Sequence, residues 1–158
     1  YYGDEIGMDY IEGLKSKEGG FNRTGSRTPM QWGSGKNLGF STSDDPYLPV
    51  DKSSDAPTVE AQINDPDSLL NHTKRLIKIR RENPALFANG SFEVLADGYP
   101  FVYKREAEGQ TIIVGINPSD REYELDAPKG SKVLYSKDAN IEGTKLKMGG
   151  ISFIIYEV

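Results

Sequence analysis

The sequence predicts an α+β chain: a long glycine-rich loop region, one amphipathic helix, then a run of antiparallel strands. Three observations carry that expectation. Residues 1 to 64 hold glycines and polar clusters with almost no apolar periodicity. Residues 66 to 83 repeat apolar groups at the helical period, and after Asn89-Gly90 the period changes from 3.6 to 2.

Within the loop region only Val59 to Ile63 hints at a helical turn. A structureless stretch of this length is rare in a compact domain unless it is functional or disordered. Disorder fits poorly, because Phe21, Met30, Trp32, Phe40, Tyr47 and Leu48 are bulky groups that favour burial. The region therefore reads as an ordered loop laid across a scaffold.

The helix is expected over 66–83, with Asp65 as N-cap, Pro66 at the first helical position and Asn83-Pro84 as the stop. Leu69, Leu70, Leu76, Ile77 and Ile79 share one half of its wheel, and Asn71, Lys74, Arg75, Lys78, Arg81 and Glu82 share the other. Arg80 falls near the centre of the apolar half, where it either snorkels from the last turn or pairs with a buried carboxylate.

Strands are expected over 92–96, 101–107, 111–117, 121–126, 132–135, 145–148 and 151–158. Turns are expected at Asp97-Gly98, Glu108-Gly109, Pro118-Ser119-Asp120, Pro128-Lys129-Gly130, Glu142-Gly143 and Gly149-Gly150. Short strands at this spacing indicate an antiparallel β-sandwich or barrel. Ile151–Val158 carries apolar groups on both faces, so it belongs in the middle of the sheet and not at a free edge.

Composition narrows function by exclusion. Twenty-four acidic residues against 19 basic ones give a net charge of −5, which disfavours nucleic acid as a partner. No apolar run approaches the roughly 18–20 residues of a membrane span. Cysteine is absent, which excludes disulfides and thiolate metal sites and is compatible with either redox compartment. His72 is the sole histidine, so no metal or other cofactor is expected.

Two short tracts carry the most information: Tyr1-Tyr2-Gly3-Asp4-Glu5-Ile6-Gly7-Met8 and Arg27-Thr28-Pro29-Met30-Gln31-Trp32. Asn37-Leu38-Gly39-Phe40-Ser41 and Asp67-Ser68-Leu69-Leu70, leading to Asn83-Pro84-Ala85-Leu86, follow in order. The ordered set resembles glycoside hydrolase family 13, the α-amylase family, within it the α-glucosidases, oligo-1,6-glucosidases and trehalose synthases. The resemblance covers nearly the whole chain. It implies that residues 1–90 are the end of a (β/α)8 barrel: a strand exit at Tyr1-Tyr2-Gly3, a loop over 4–64 and a final helix. Residues 91–158 would be the antiparallel β-sandwich domain that follows. Because such a barrel takes about 250 residues, most of it would lie upstream, and its remainder is the implied partner.

Retaining glycoside hydrolysis needs two carboxyls about 5–5.5 Å apart. Asp4 with Glu5, Asp9 with Glu12, and Asp44 with Asp45 are superficial candidates only, since sequence neighbours rarely face one point from opposite sides of a sugar ring. In the family the catalytic carboxylates come from earlier strands, so the resemblance implies no catalytic residue in this chain. It does imply one substrate contact, Arg27, which in related α-glucosidases helps to hold the glucose at the non-reducing end. A guanidinium fork suits that task, donating to adjacent hydroxyls and a carboxylate together. The alternative for Arg27 is a structural salt bridge within the loop. The tract Gly19-Gly20-Phe21-Asn22-Arg23-Thr24-Gly25-Ser26 departs from the aspartate-rich stretch of many relatives.

Trp32 reads as either a sugar-stacking platform or a core anchor, and the tyrosines at 99, 103, 123, 135 and 156 as either a carbohydrate surface or core and cross-strand pairs. The expectation is the C-terminal part of an intracellular-type α-glucosidase acting on short maltose- or isomaltose-type oligosaccharides. A trehalose synthase is one alternative, and a non-catalytic carbohydrate-binding or structural β module another.

Overall fold

The computed structural model describes residues 1–16, 19 and 23–158, so Phe21 and the middle of the Gly19–Ser26 tract lie outside the described residues. The chain divides into two compact units, Tyr1–Leu76 and Ile77–Val158.

The first unit is mostly ordered loop around a small core of Ile6, Met30 and Leu70, with Met8 and Val59 against it. Helix α1 (Val59–Gln62) forms where the sequence hinted at a turn, and the Thr58 hydroxyl caps it by accepting from the Ala61 amide. Helix α2 (Leu69–Glu82) begins three residues later than Pro66. Ser68 displaces Asp65 as the cap: its Oγ accepts from the Asn71 amide, while Asp65 Oδ1 bonds Asp67 N in a tight turn of its own. The Gln62 side chain takes a further first-turn donor, the Leu70 amide, at 3.0 Å. Asn71, expected on the solvent half, instead donates to the carbonyls of Gln62, Ile63 and Asp65 and pins α1 to the start of α2.

The apolar half of α2 is only partly covered. Leu70 is buried, but Leu69, Leu76 and Ile77 remain 48, 40 and 53% exposed. Arg80 snorkels to the surface, and among the described residues no buried carboxylate meets it; its charge reaches the Tyr103 phenol. Water-exposed aliphatics of this size each forgo roughly 1.5–3 kcal/mol of burial. The chain is therefore expected to self-associate as its concentration rises. A Leu76→Glu, Ile77→Glu double variant should shift the sedimentation profile toward monomer, and an unchanged profile would locate the association elsewhere.

The second unit is one curled six-stranded antiparallel sheet, with helical segments only at its start. Its strands are β1 (Glu93–Asp97), β2 (Phe101–Ala107), β3 (Gln110–Asn117), β4 (Tyr123–Asp126), β5 (Lys132–Glu142) and β6 (Lys145–Glu157). Glu108-Gly109 closes the β2–β3 hairpin between Ala107 and Gln110, as the dipeptide predicts. β6 is central: residues 152–157 lie between β3 and β5, and residues 145–148 lie between β4 and β5.

An antiparallel sandwich or barrel was the expectation, and one continuous curled sheet that closes around a core is the finding. The reason is that Gly149-Gly150 makes no turn. β6 runs through it with a bend, Ile151 taking φ 51°, while β5 is bulged opposite at Asp138. Glycine is needed at the bend, since a Cβ on Gly150 would lie 2.7 Å from the Asp120 carbonyl oxygen. Inside the curl Val102, Ile113 and Ile154 meet Leu146, Met148 and Tyr156. The opposite face of β3 and β6, formed by Ile112, Val114 and Ile155, is covered by Ala85 of the Pro84–Leu86 turn together with Ile79. Tyr135 and Tyr156 are buried, and Tyr103 stacks on Phe92 with centroids 5.1 Å apart, so these rings fill cores or cross-strand pairs; Tyr99 stays exposed.

Candidate functional site

Arg27 and the tract that follows it are held as a fixed bar with open ends. Thr28, Pro29, Met30 and Gln31 are buried, whereas Arg27 and Trp32 are exposed. Burial of the middle is secured by specific bonds. The Gln31 carbonyl accepts from Val59 N at 3.0 Å, and its side-chain amide donates to the Pro57 carbonyl. Trp32 carries on the same pattern, its carbonyl accepting from Glu60 N and its amide donating to the Leu38 carbonyl at 2.8 Å. The backbone of Asn37 and Leu38 is left-handed there, with φ of 51° and 54°, and the Asn37 amide stabilises the turn by donating to the carbonyls of Ser41 and Ser43. Glu60 completes the brace: its carboxylate accepts from Ser34 N at 2.7 Å, and the Ser34 bonds hold it below the ordinary carboxylate range.

The other informative tract comes to the same place. The Tyr2 hydroxyl donates to the Thr28 carbonyl at 2.9 Å, and the Tyr1 and Tyr2 rings lie 4.6 Å apart. Burial pushes the Tyr2 phenol up, Tyr1 adds to this, and the Arg27 guanidinium pulls it back. Arg27 therefore stands within electrostatic reach of Tyr2. On the loop's other side, the Arg27 amide donates to the Thr24 carbonyl and the Gly25 carbonyl accepts from Ile11 N. Gly25 must be glycine, because a Cβ would come within 2.2 Å of the Ile11 carbonyl oxygen. Tyr2 and Thr28 stand 26 positions apart, so only the fold reveals the bond between them.

Two carboxylates of the candidate acidic pairs have structural partners. Glu5 accepts from the Gly3 amide at 2.8 Å, and Asp44 is ion-paired with Lys36. Trp32, at 52% exposure, is not a core anchor within this chain. Its ring is available to a ligand or a covering segment. Among the described residues no three His, Asp or Glu side chains gather closely enough to hold a metal ion, and no helix is long and apolar enough to cross a membrane.

Comparison with known proteins identifies the family. Residues 1–89 match the family described as alpha amylase, catalytic domain. The chain is 42% identical over 110 residues to a probable oligo-1,6-glucosidase 2 of Bacillus subtilis, covering 68% of this chain and 19% of the relative. It is 41% identical over 117 residues to the trehalose synthase/amylase TreS of Mycobacterium tuberculosis, covering 69% of this chain and 18% of the relative. The trehalulose synthase MutB of Pseudomonas mesoacidophila superposes with a TM-score of 0.74 at 28% identity, over 85% of this chain and 26% of MutB. The chain thus spans about a fifth of the length of these curated relatives. Sequence and fold agree that this chain belongs to the α-amylase family, glycoside hydrolase family 13.

Proposed function

We propose that this chain is the C-terminal part of a retaining α-glycosidase acting on terminal α-linked glucose of short maltose- or isomaltose-type oligosaccharides. In this reading residues 1–90 complete the catalytic barrel, contributing its last loop and helix, and residues 91–158 form the domain that follows. The rest of the barrel is the partner and supplies the nucleophile and the acid. Arg27 contributes a substrate contact, its guanidinium donating to hydroxyls of the terminal glucose.

The observation that carries this reading is the buried Thr28–Gln31 bar with Arg27 projecting from its end. An arginine whose backbone is fixed this firmly loses little entropy when it engages a ligand. Tyr2 positions it by tying down the next carbonyl. A second reading, isomerisation of maltose to trehalose, is favoured by the trehalose synthase relatives, which match at 41% identity. Trehalose formed from maltose by the complete enzyme would select it.

The test is made on the complete enzyme. Arg27→Ala should lower kcat/KM for maltose or isomaltose roughly 10- to 100-fold, the worth of one or two hydrogen bonds from a charged donor. Arg27→Lys should recover only a fraction, because an ammonium cannot reproduce the fork. Tyr2→Phe should cost less, and mainly in KM. An Arg27→Ala enzyme within about twofold of the parent would sink the assignment.

A further inference from the structure

Asn89 and Gly90 are the sole Asn-Gly pair in the chain, and they lie in a turn between the Pro84–Leu86 segment and β1. The pair carries a chemistry of its own. The Gly90 amide nitrogen, unhindered by a side chain, is placed to attack the Asn89 side-chain carbonyl carbon and close a succinimide ring. A bond forms between that nitrogen and Cγ, the Cγ–Nδ2 bond breaks, and the amide leaves as ammonia, taking the nitrogen's proton. Water then opens the ring at either carbonyl and leaves aspartate or its backbone-lengthened isomer, isoaspartate. Water is the only co-reactant.

The surroundings single out this asparagine. The amides of Asn37, Asn71, Asn83, Asn117 and Asn140 all donate hydrogen bonds. Asn89 is exposed, and among the described residues nothing bonds its side chain. The backbone beneath it is guarded instead. Gly90 N donates to the Phe87 carbonyl at 3.1 Å, which ties up the nucleophile. Arg105 clamps the same turn: Nη2 donates to the Phe87 and Gly90 carbonyls at 2.6 and 3.1 Å, and Nε donates to the Ser91 carbonyl at 2.6 Å. Ring closure requires the turn to open, so these charge-assisted bonds govern its rate. The turn also has no slack for the product. A Cβ on Gly90 would lie 2.3 Å from the Ala85 carbonyl oxygen, and isoaspartate inserts an extra backbone carbon beside it. We infer that Asn89 is a site of spontaneous deamidation, delayed by the Arg105 clamp, and that isoaspartate there loosens the Pro84–Leu86 turn from the sheet face it covers. The inference is independent of Arg27 and of catalysis.

Incubating the 158-residue chain in mildly alkaline buffer, with peptide mass mapping and isoaspartyl methyltransferase labelling, tests it. The amide-to-acid mass gain and the label are expected in the peptide spanning residues 89–90 before any other asparagine reacts. The urea-unfolded chain should react roughly tenfold faster at this position, because opening no longer costs the clamp. A folded Arg105→Lys variant, which keeps the charge and loses the fork, should fall between the two. Asn89→Gln, whose longer side chain closes the ring poorly, should show no gain there. The deamidated fraction, separated by ion exchange, should unfold at a lower urea concentration than the parent. Circular dichroism confirms that each variant is folded. Earlier reaction at another asparagine, or a gain in this peptide that survives Asn89→Gln, overturns the site. Equal rates in the folded parent, the unfolded chain and Arg105→Lys overturn the clamp, and a deamidated fraction as stable as the parent overturns the loosening.

Discussion

The purified 158-residue chain is expected to release no p-nitrophenol from p-nitrophenyl α-glucoside above the buffer rate. Retaining hydrolysis needs one carboxylate as nucleophile and a second carboxyl, about 5–5.5 Å away, kept protonated by an environment that raises its pKa. The loop carboxyls for which the environment has a resolved effect are pushed the other way. Hydrogen bonds from Ser53 hold Asp51 below its ordinary range, and those from Ser34 do the same to Glu60. A depressed carboxyl stays ionised at neutral pH and protonates only as the pH falls past its lowered value, so neither serves as a proton donor near pH 7. Glu5 and Asp44 are committed to Gly3 and Lys36. Turnover that co-purifies with the chain through two orthogonal columns, and vanishes on substitution of a loop carboxylate, would overturn the proposal that catalysis resides elsewhere in the barrel. Activity regained on mixing with the remainder of the barrel would support it.

Replacing Asn117 by alanine should destabilise the second unit by about 3–4 kcal/mol, a large share of the stability of a domain this small. Its side chain is almost fully buried and works at both ends. Nδ2 donates to the carbonyls of Arg121 and Gly149, each at 2.7 Å, and Oδ1 accepts from the Ser119 amide and hydroxyl. The Gly149 contact fixes the bend in β6, and the Ser119 carbonyl accepts from Ile151 N at 2.7 Å just beyond it. Alanine removes all four bonds at once and leaves the Gly149 carbonyl with only the Ser152 hydroxyl, 2.7 Å away. Ser119→Ala, which removes a single hydroxyl, should cost only about 1 kcal/mol. Urea unfolding followed by circular dichroism measures both. Equal losses for the two variants would mean that Asn117 is not the organising group.

What the sequence disclosed depended on how local the cause was. The helix, the Glu108-Gly109 hairpin and the central place of the last strand rest on patterns a few residues long, and all three stand in the structure. The helix start was misjudged because two candidate caps compete within four residues, and Ser68 wins by accepting from the Asn71 amide while its hydroxyl donates to the Gln62 carbonyl. Gly149-Gly150 has the composition of a turn, yet contacts from Asn117 and Ser119, 32 positions earlier, hold it open as a bend. The ordered motifs pointed to the family correctly. Of the proposed site the sequence offered only Arg27; the support of its loop by Tyr2, Gly25 and Gln31 arises from contacts that no spacing encodes.

The central position of β6 also has a temporal side. It is the last strand of the sheet to be synthesised, and it hydrogen-bonds with β3, β4 and β5. Until residue 157 has emerged from the ribosome, β3 has only β2 beside it, while β4 and β5 have no strand between them to join. Closure of this sheet thus waits on β6: the nascent chain must keep its apolar strands from strangers until residues 145–157 have emerged. Loss of residues 151–157 would then yield no smaller sheet but a chain with an open β3 edge, a ready substrate for proteases and chaperones.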